Sequence, residues 1–296
     1  MYILSGYRYH LSEGPWLQLD DITSQPTTRH HVPIWEQAIS IKPLETRYCI
    51  GGYDLLTRRS ICCPDKCQIS GQHPYCFTCS RSIQFNPAFY HVAPSQLSSH
   101  QQHYNLEPHT VYLAYFGKNM VKVGIAHTQR LYNRWLEQGA RAAVVVQDMQ
   151  DAYAARSLEA WISANYRIPE RVTSGQKQQY LHMPYHFDEA SMALRYCLNL
   201  ISEESDGLSA NHPIQDLQAY YFAKKQPSTL YEPTKERQHM IAGLVIGMVG
   251  EVLIYKQQGY NFIQPMKQFL GRAQVVFKEA SQPLTVNIQT KLDLFG

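Results

Sequence analysis

Apolar and polar residues alternate around turn residues at both ends of the chain, a pattern typical of β-hairpins. Residues 2–19 predict one hairpin around the turn Ser12-Glu13-Gly14-Pro15. Residues 241–255 repeat the outline of strand, glycine-containing turn and strand, and further strands are predicted at 260–263 and 273–277. We infer that 1–48 and 236–296 are related β-rich units packed in one small sheet or barrel, although two short hairpins can also look alike by chance.

The segment 105–190 has the spacing of a compact mixed α/β domain. Strand-like runs at 111–116 and 120–125 flank the turn Gly117-Lys118-Asn119. A helix is predicted from 128 to 139, and it is followed by a strand at 142–146 and a second helix at 151–166. Together with the β-rich ends, this order predicts an α+β fold.

The segments on either side of this domain are predicted to be linkers, helices and loops. Residues 95–107 are rich in Gln, His and Ser and are predicted to be a linker. Apolar positions recur at helical spacing in 189–202 and 214–225, which predicts a helical connector over 191–235. Residues 203–212 and 226–236 are rich in turn formers and are predicted to be loops.

Composition and net charge exclude several classes of protein. The chain has 296 residues, of which 44% are hydrophobic and 17% charged, which excludes long disorder, a coiled coil and a small disulfide scaffold. The formal net charge is only +3, so any nucleic-acid site must be a local patch. The most apolar stretch, 240–255, is shorter than a membrane span of roughly 20 residues and carries Glu251. We therefore expect a cytoplasmic protein without a membrane partner; its oligomeric state stays open.

Six of the seven cysteines lie between residues 49 and 79, in a segment that we delimit as 49–94. Cys76 and Cys79 are separated by two residues, a spacing that allows both sulfurs to face one metal ion. We expect a structural zinc site in a ribbon-like segment. Its favoured ligands are Cys49, Cys63, Cys76 and Cys79, with Cys67 as first substitute and His73 as a weaker candidate. Free thiols and an iron–sulfur cluster are the alternatives.

A local basic surface accompanies the central α/β segment. Glu137 is the only acidic residue in 111–141, whereas the basic residues there are Lys118, Lys122, Arg130, Arg134 and Arg141. Such a surface suits the phosphates of DNA or RNA. We expect Lys118, Arg130 and Arg141 to bind nucleic acid.

At these positions the sequence resembles the GIY-YIG nuclease superfamily. Val111-Tyr112-Leu113 stands where the first motif would be, and Lys122-Val123-Gly124 stands where the second would be, with Lys122 in place of a tyrosine. Arg134 matches the arginine of the following helix, and Glu159 matches the acid of the next. The wider pattern, from Cys49 to Arg171, is similar to an uncharacterised bacterial family, domain of unknown function 2797.

The resemblance implies metal-dependent hydrolysis of a phosphodiester. Glu159 would hold Mg²⁺ or Mn²⁺, and Arg134 would stabilise charge on the phosphate. Tyr112 would position or deprotonate water, while Lys122 would contact phosphate or act as a base. The zinc segment and the β units would help to grip the substrate. Two alternatives remain: a catalytically inactive nucleic-acid binder with a GIY-YIG-like fold, and a zinc-stabilised protein-interaction scaffold.

Overall fold

The computed structural model describes residues 1–71, 73–203, 208, 211–233 and 240–277. The chain divides into two compact units. The sheet unit contains Met1–Gly52, Ile61–Ser80 and the segment from Tyr220 onward, and the central unit contains Tyr53–Ser60 and Arg81–Ala219. No helix among the described residues has the length and hydropathy that a membrane crossing requires.

The strands, in chain order, are β1 (Tyr2–His10), β2 (Gly14–Asp21), β3 (Thr28–Pro33), β4 (Ala38–Pro43), β5 (Arg47–Tyr48), β6 (Gly52–Asp54), β7 (Arg59–Ile61), β8 (Gln68–Ile69), β9 (His109–Gly117), β10 (Met120–His127), β11 (Ala142–Met149), β12 (Gln215–Asp216), β13 (Ile241–Val249), β14 (Val252–Gln257), β15 (Tyr260–Pro265) and β16 (Ala273–Phe277). The α-helices are α1 (Phe77–Ser82), α2 (Ser99–Asn105), α3 (Leu131–Gln138), α4 (Ala152–Tyr166), α5 (Ser174–Leu181) and α6 (Phe187–Glu203). Short 3₁₀ helices cover Phe89–His91, Pro94–Gln96, Thr128–Arg130, Gln218–Tyr220 and Met266–Phe269.

Both ends of the chain contribute to one antiparallel sheet in the sheet unit. Over the described residues its strand order is β15-β14-β13-β4-β16-β1-β2-β3. The hairpins β1–β2 and β13–β14 form where alternation predicted them, and β4 and β16 join them, since β4 pairs with both β13 and β16. The inference that the two ends share a sheet is thus confirmed. Residues 236–239 and 278–296 of the predicted C-terminal unit lie outside the described residues.

The central unit is built on the antiparallel order β10-β9-β11-β12. Every residue of β9 is buried, because this strand lies between β10 and β11. Val111, Leu113 and Tyr115 enter a core that also receives Ile162 of α4 and Leu194 of α6. The predicted strands and helices of 111–166 are confirmed, and the α+β class is confirmed with them. The side chain of Asp151 caps α4 by accepting from the backbone N–H of Ala154 at 2.7 Å.

Two of the predictions for the flanking segments are wrong. The predicted linker 95–107 contains α2, because Ser98 caps the helix and the side chain of Gln101 hydrogen bonds to the backbone of Asn86. The predicted helix 214–225 is instead a short strand followed by a 3₁₀ turn. Its backbone pairs with neighbouring strands, since Leu217 N–H donates to the carbonyl of Arg141. The loops expected at 203–212 and 226–236 lie partly outside the described residues.

Candidate functional site

Four cysteines of the sheet unit converge in the fold. The sulfurs of Cys49, Cys63, Cys76 and Cys79 all lie within 4.8 Å of one another, and within the described part of the chain this is the group of residues that could hold a metal ion. Cys49, Cys63 and Cys79 are buried, whereas Cys67 packs against the group from a less buried position. The structure therefore brings together the four ligands favoured by sequence, with the first substitute at their edge.

Backbone amides donate hydrogen bonds to two of the cysteine sulfurs. Cys49 Sγ accepts from the N–H groups of Cys76 at 3.1 Å and Gly51 at 3.4 Å, and Cys76 Sγ accepts from the N–H of Cys79 at 3.5 Å. These donors stabilise thiolate, the form that binds metal. The pairing of β5 with β8 and the hydrogen bond from Cys49 N–H to the carbonyl of Cys67, at 2.8 Å, fix the loop that carries Cys49.

The thiols differ in acidity. Burial raises the pKa of Cys49 and of Cys79. Burial acts in the same direction on Cys76, but hydrogen bonds from Cys79 and other neighbours outweigh it and lower the pKa of Cys76 to about 7. These hydrogen bonds thus favour the thiolate form of Cys76, the form of cysteine that binds metal.

A buried ion pair supports the same loop. The guanidinium of Arg29 donates to the carboxylate of Asp20 at 2.7 and 2.9 Å and to the carbonyl of Ile50 at 2.8 Å. Both charged side chains are at most 7% exposed. Because Ile50 follows Cys49 directly, the ion pair of β2 and β3 also anchors a cysteine of the metal site.

The central unit contains a second candidate site, a cavity of about 460 Å³. We call it the basic cavity; the charged residues that line it are Lys122, Arg134, Arg156, Glu159, Glu170, Arg171 and Lys177, and Tyr112 lines it as well. Tyr112, Lys122, Arg134 and Glu159, the four residues that the resemblance marks as catalytic, thus line one cavity.

Tyr112 is held rigidly in this cavity. It is 1% exposed, and its ring lies edge-on against Trp135 of α3 with centroids 6.0 Å apart. Its hydroxyl accepts from Gln138 Nε2 at 2.7 Å. Gly124 is its direct cross-strand partner and leaves space for the ring, because a Cβ at this position would lie 2.7 Å from the tyrosine oxygen. Burial raises the pKa of Tyr112, and nearby Arg134 opposes the rise.

Lys122 enters the cavity from the edge strand β10. It is 8% exposed; its Nζ donates to the carbonyl of Glu170 at 3.3 Å and lies 5.8 Å from the ring centroid of Tyr112. Burial lowers the pKa of Lys122 to about 8, and Arg134 contributes in the same direction. Near physiological pH the ammonium form of Lys122 can therefore donate a proton, and its neutral amine form can accept one.

Glu159 is already paired with a cation. The residue as a whole is 6% exposed, and its carboxylate accepts from Arg156, one turn earlier in α4; Arg156 Nη1 also donates to Glu170 at 2.8 Å. Burial raises the pKa of Glu159, and Arg156 opposes that effect. The segment after α4 reaches this position because Val123 N–H of β10 donates to the carbonyl of Pro169 at 3.1 Å.

The three residues expected to bind nucleic acid lie elsewhere in the central unit. Lys118 lies exposed in the turn after β9, beside a separate cavity of about 280 Å³. Arg130 pairs with Glu137 at 2.9 Å. Arg141 lines the same cavity as Lys118; it is 3% exposed, and its side chain donates to the carbonyl of Tyr180 at 3.0 Å.

Sequence reasoning missed several members of the basic cavity. Arg156 is three residues before Glu159 on one helix, so the spacing itself could have indicated their contact. Glu170, Arg171 and Lys177 come from a loop and from α5, and a sequence pattern gives no signal that these elements meet Lys122.

Comparison with known proteins gives a family and nothing more specific. No curated protein and no solved structure matches the chain. A family model described as "Protein of unknown function (DUF2797)" matches residues 36–271, a range that contains the four clustered cysteines and the basic cavity. This range covers more than half of the chain, and the protein therefore belongs to the DUF2797 family.

Proposed function

We propose that the basic cavity binds the phosphate backbone of DNA or RNA. The observation that carries this proposal is the local charge: five basic side chains against two carboxylates among the lining residues, an excess of three positive charges in one cavity. The whole chain has a net charge of only +3. Concentrated positive charge in a concave site attracts polyanions and supplies most of the affinity for nucleic acid.

The proposal extends to a GIY-YIG-like fold for the central unit. In its support, β9 lies between β10 and β11, and Tyr112 and Gly124 of the two motifs are cross-strand partners. Arg134 on the next helix and Glu159 on the following helix line the same cavity as Tyr112. A site built from these elements would present the cations to one phosphate group.

Binding is tested by fluorescence anisotropy with labelled single-stranded DNA, double-stranded DNA and RNA. Arg134→Gln removes one positive charge from the cavity, and Lys256→Gln removes one from an exposed position of β14. We expect Arg134→Gln to weaken binding and to reduce the salt slope by about one, whereas Lys256→Gln changes neither. Equal affinities of the two variants would contradict the proposal, and no binding at low salt would favour the interaction scaffold.

Hydrolysis of the bound phosphodiester is the second candidate function. It is favoured by the convergence of Tyr112, Lys122, Arg134 and Glu159 on one cavity. Arg134 would stabilise charge on the phosphate, and Lys122, with a pKa of about 8, would transfer a proton. A catalytic metal does not fit Glu159 as it stands, because its carboxylate is paired with Arg156.

Cleavage of pooled DNA and RNA substrates separates the two candidates. If the cavity is a nuclease site, wild-type protein cleaves and both Arg134→Ala and Lys122→Met abolish cleavage. If it is a recognition site, none of the three proteins cleaves, although wild type still binds. Cleavage that survives both substitutions would contradict hydrolysis at this cavity.

For the cysteine site we propose one zinc ion with a structural role. Four thiolates around an ion at roughly 2.3 Å are about 3.8 Å apart, and Cys63 Sγ and Cys76 Sγ are 4.0 Å apart. An iron–sulfur cluster would place its ligands around several irons, and therefore farther apart. Elemental analysis should find about one zinc per chain in wild type and in Cys197→Ser, but none in Cys76→Ser. Iron at this site would contradict the assignment.

A further inference from the structure

Arg156 has an unusual place in the basic cavity. Its Nη1 donates to the carboxylates of Glu159 and Glu170, and its guanidinium carbon lies 4.4 Å from the ring centroid of Tyr90. The side chain of Arg156 is 19% exposed and that of Glu159 is 8% exposed. Two carboxylates and an aromatic ring therefore hold the Arg156 guanidinium in contact with Glu159. The GIY-YIG resemblance assigns this same Glu159 as the ligand of a divalent metal.

The two cations compete for the same carboxylate. Mg²⁺ demands oxygen ligands at roughly 2.0–2.1 Å in near-octahedral geometry and is reluctant to lose its waters. The Oε2 atom of Glu159 already accepts a charge-assisted hydrogen bond from Arg156. A dication beside the guanidinium would also meet like-charge repulsion in a partly desolvated site.

We propose that Arg156 is a built-in counter-cation that takes the place of the divalent metal, so that the cavity binds a phosphate group without one. The phosphate part of this inference rests on the proposed function, whereas the exclusion of metal from Glu159 does not. Within the described residues, Nε and Nη2 of Arg156 donate to no protein acceptor. These donors, with Lys122 and Arg134 in the same cavity, are the groups that would contact phosphate oxygens.

Exclusion of metal is measured as Mn²⁺ binding to zinc-loaded full-length protein, from the loss of the free-ion electron paramagnetic resonance signal. The variants are Arg156→Gln, the double variant Arg156→Gln/Glu159→Gln, and Glu159→Gln. Arg171→Gln is the matched control, because it removes a positive charge from the same cavity and because Arg171, within the described residues, forms no ion pair with Glu159. We expect no Glu159-dependent Mn²⁺ site in wild type or in Arg171→Gln. Arg156→Gln should bind Mn²⁺ at Glu159 at least tenfold more tightly than wild type does. The double variant should lose this site.

Two outcomes would overturn the inference. One is a Mn²⁺ ion bound by wild type and lost in Glu159→Gln, since the metal would then fit beside Arg156. The other is a folded Arg156→Gln that gains no site, since Arg156 would then not be what excludes the metal. Thermal unfolding shows whether Arg156→Gln folds. If it does not fold, the test is whether wild type binds a Mn²⁺ ion that Glu159→Gln does not bind.

The phosphate part has a separate readout. Wild type should bind a labelled oligonucleotide equally well in EDTA and in Mg²⁺ after zinc loading, and Arg156→Gln or Arg156→Lys should bind it at least severalfold more weakly. Binding that requires Mg²⁺ would overturn this part. If no variant binds any oligonucleotide, the proposed function fails, while the Mn²⁺ result still decides whether Arg156 occupies the metal position.

Discussion

Replacing Gly124 by alanine tests how the sheet positions Tyr112. The added Cβ would lie 2.7 Å from both Cζ and the hydroxyl oxygen of Tyr112, its cross-strand partner. The ring has little room to move, because it is 1% exposed and packs against Trp135. Overpacking of this kind costs about 1–3 kcal/mol, so we expect Gly124→Ala to lower the free energy of unfolding by that amount.

Gly175 provides the matched control in the same unit. It lies in α5, and a Cβ there would meet no heavy atom within 4 Å. Gly175→Ala should leave stability unchanged or raise it by up to about 1 kcal/mol, because alanine is the better helix former. The assay is urea unfolding followed by circular dichroism and tryptophan fluorescence.

A double-mutant cycle identifies the cause. In a Tyr112→Leu background the ring is absent, so Gly124→Ala should cost clearly less than it does in wild type. Equal effects of Gly124→Ala and Gly175→Ala, or an unchanged cost in the Tyr112→Leu background, would refute the packing argument.

Three further predictions concern charge and metal. Arg29→Gln should destabilise the protein by about 3–5 kcal/mol in urea unfolding, because it leaves the buried carboxylate of Asp20 without its cationic partner; a change below 1 kcal/mol would contradict this prediction. Stripping the metal with a chelator, or Cys76→Ser, should lower the thermal midpoint, whereas Cys197→Ser, which changes a cysteine outside the four-cysteine group, should keep the metal. The pKa of Lys122 is lowered by burial from 10.5 to about 8, so its charged form opposes folding below pH 8. Wild type should therefore gain up to about 3 kcal/mol between pH 8 and 10.5 relative to Lys122→Met, and parallel pH profiles would contradict this.

The sequence predicts those strands and helices whose positions depend on local features, such as alternation, turn residues and helix caps. Alternation and the turn Gly117-Lys118-Asn119 specify the β9–β10 hairpin, and Asp151 marks the start of α4 as its cap. The helix predicted at 214–225 does not form, although apolar residues recur there at helical spacing, because the backbone of this segment pairs with strands distant in sequence. The helix α2 is not predicted from the sequence because its side chains are mostly polar. One of them, Gln101, donates to the backbone carbonyl of Asn86 in a neighbouring loop.

The candidate sites were predictable to different degrees. The two-residue spacing of Cys76 and Cys79 is a local signal, and it led to the four cysteines that converge. Counting basic residues could not show which of them share a surface. Arg130 is neutralised by Glu137, and Arg141 is buried against backbone carbonyls. Such pairings depend on where loops and helices meet in three dimensions.

The most direct test of the central claim is chemical protection of the basic cavity by nucleic acid. Lysines are acetylated with and without a saturating oligonucleotide at low salt, and each position is quantified by mass spectrometry. Lys177 lines the cavity, and Lys256 is exposed on β14. Binding of phosphate in the cavity predicts a severalfold lower acetylation of Lys177 and no change at Lys256. Equal acetylation of Lys177 with and without bound oligonucleotide would contradict the account.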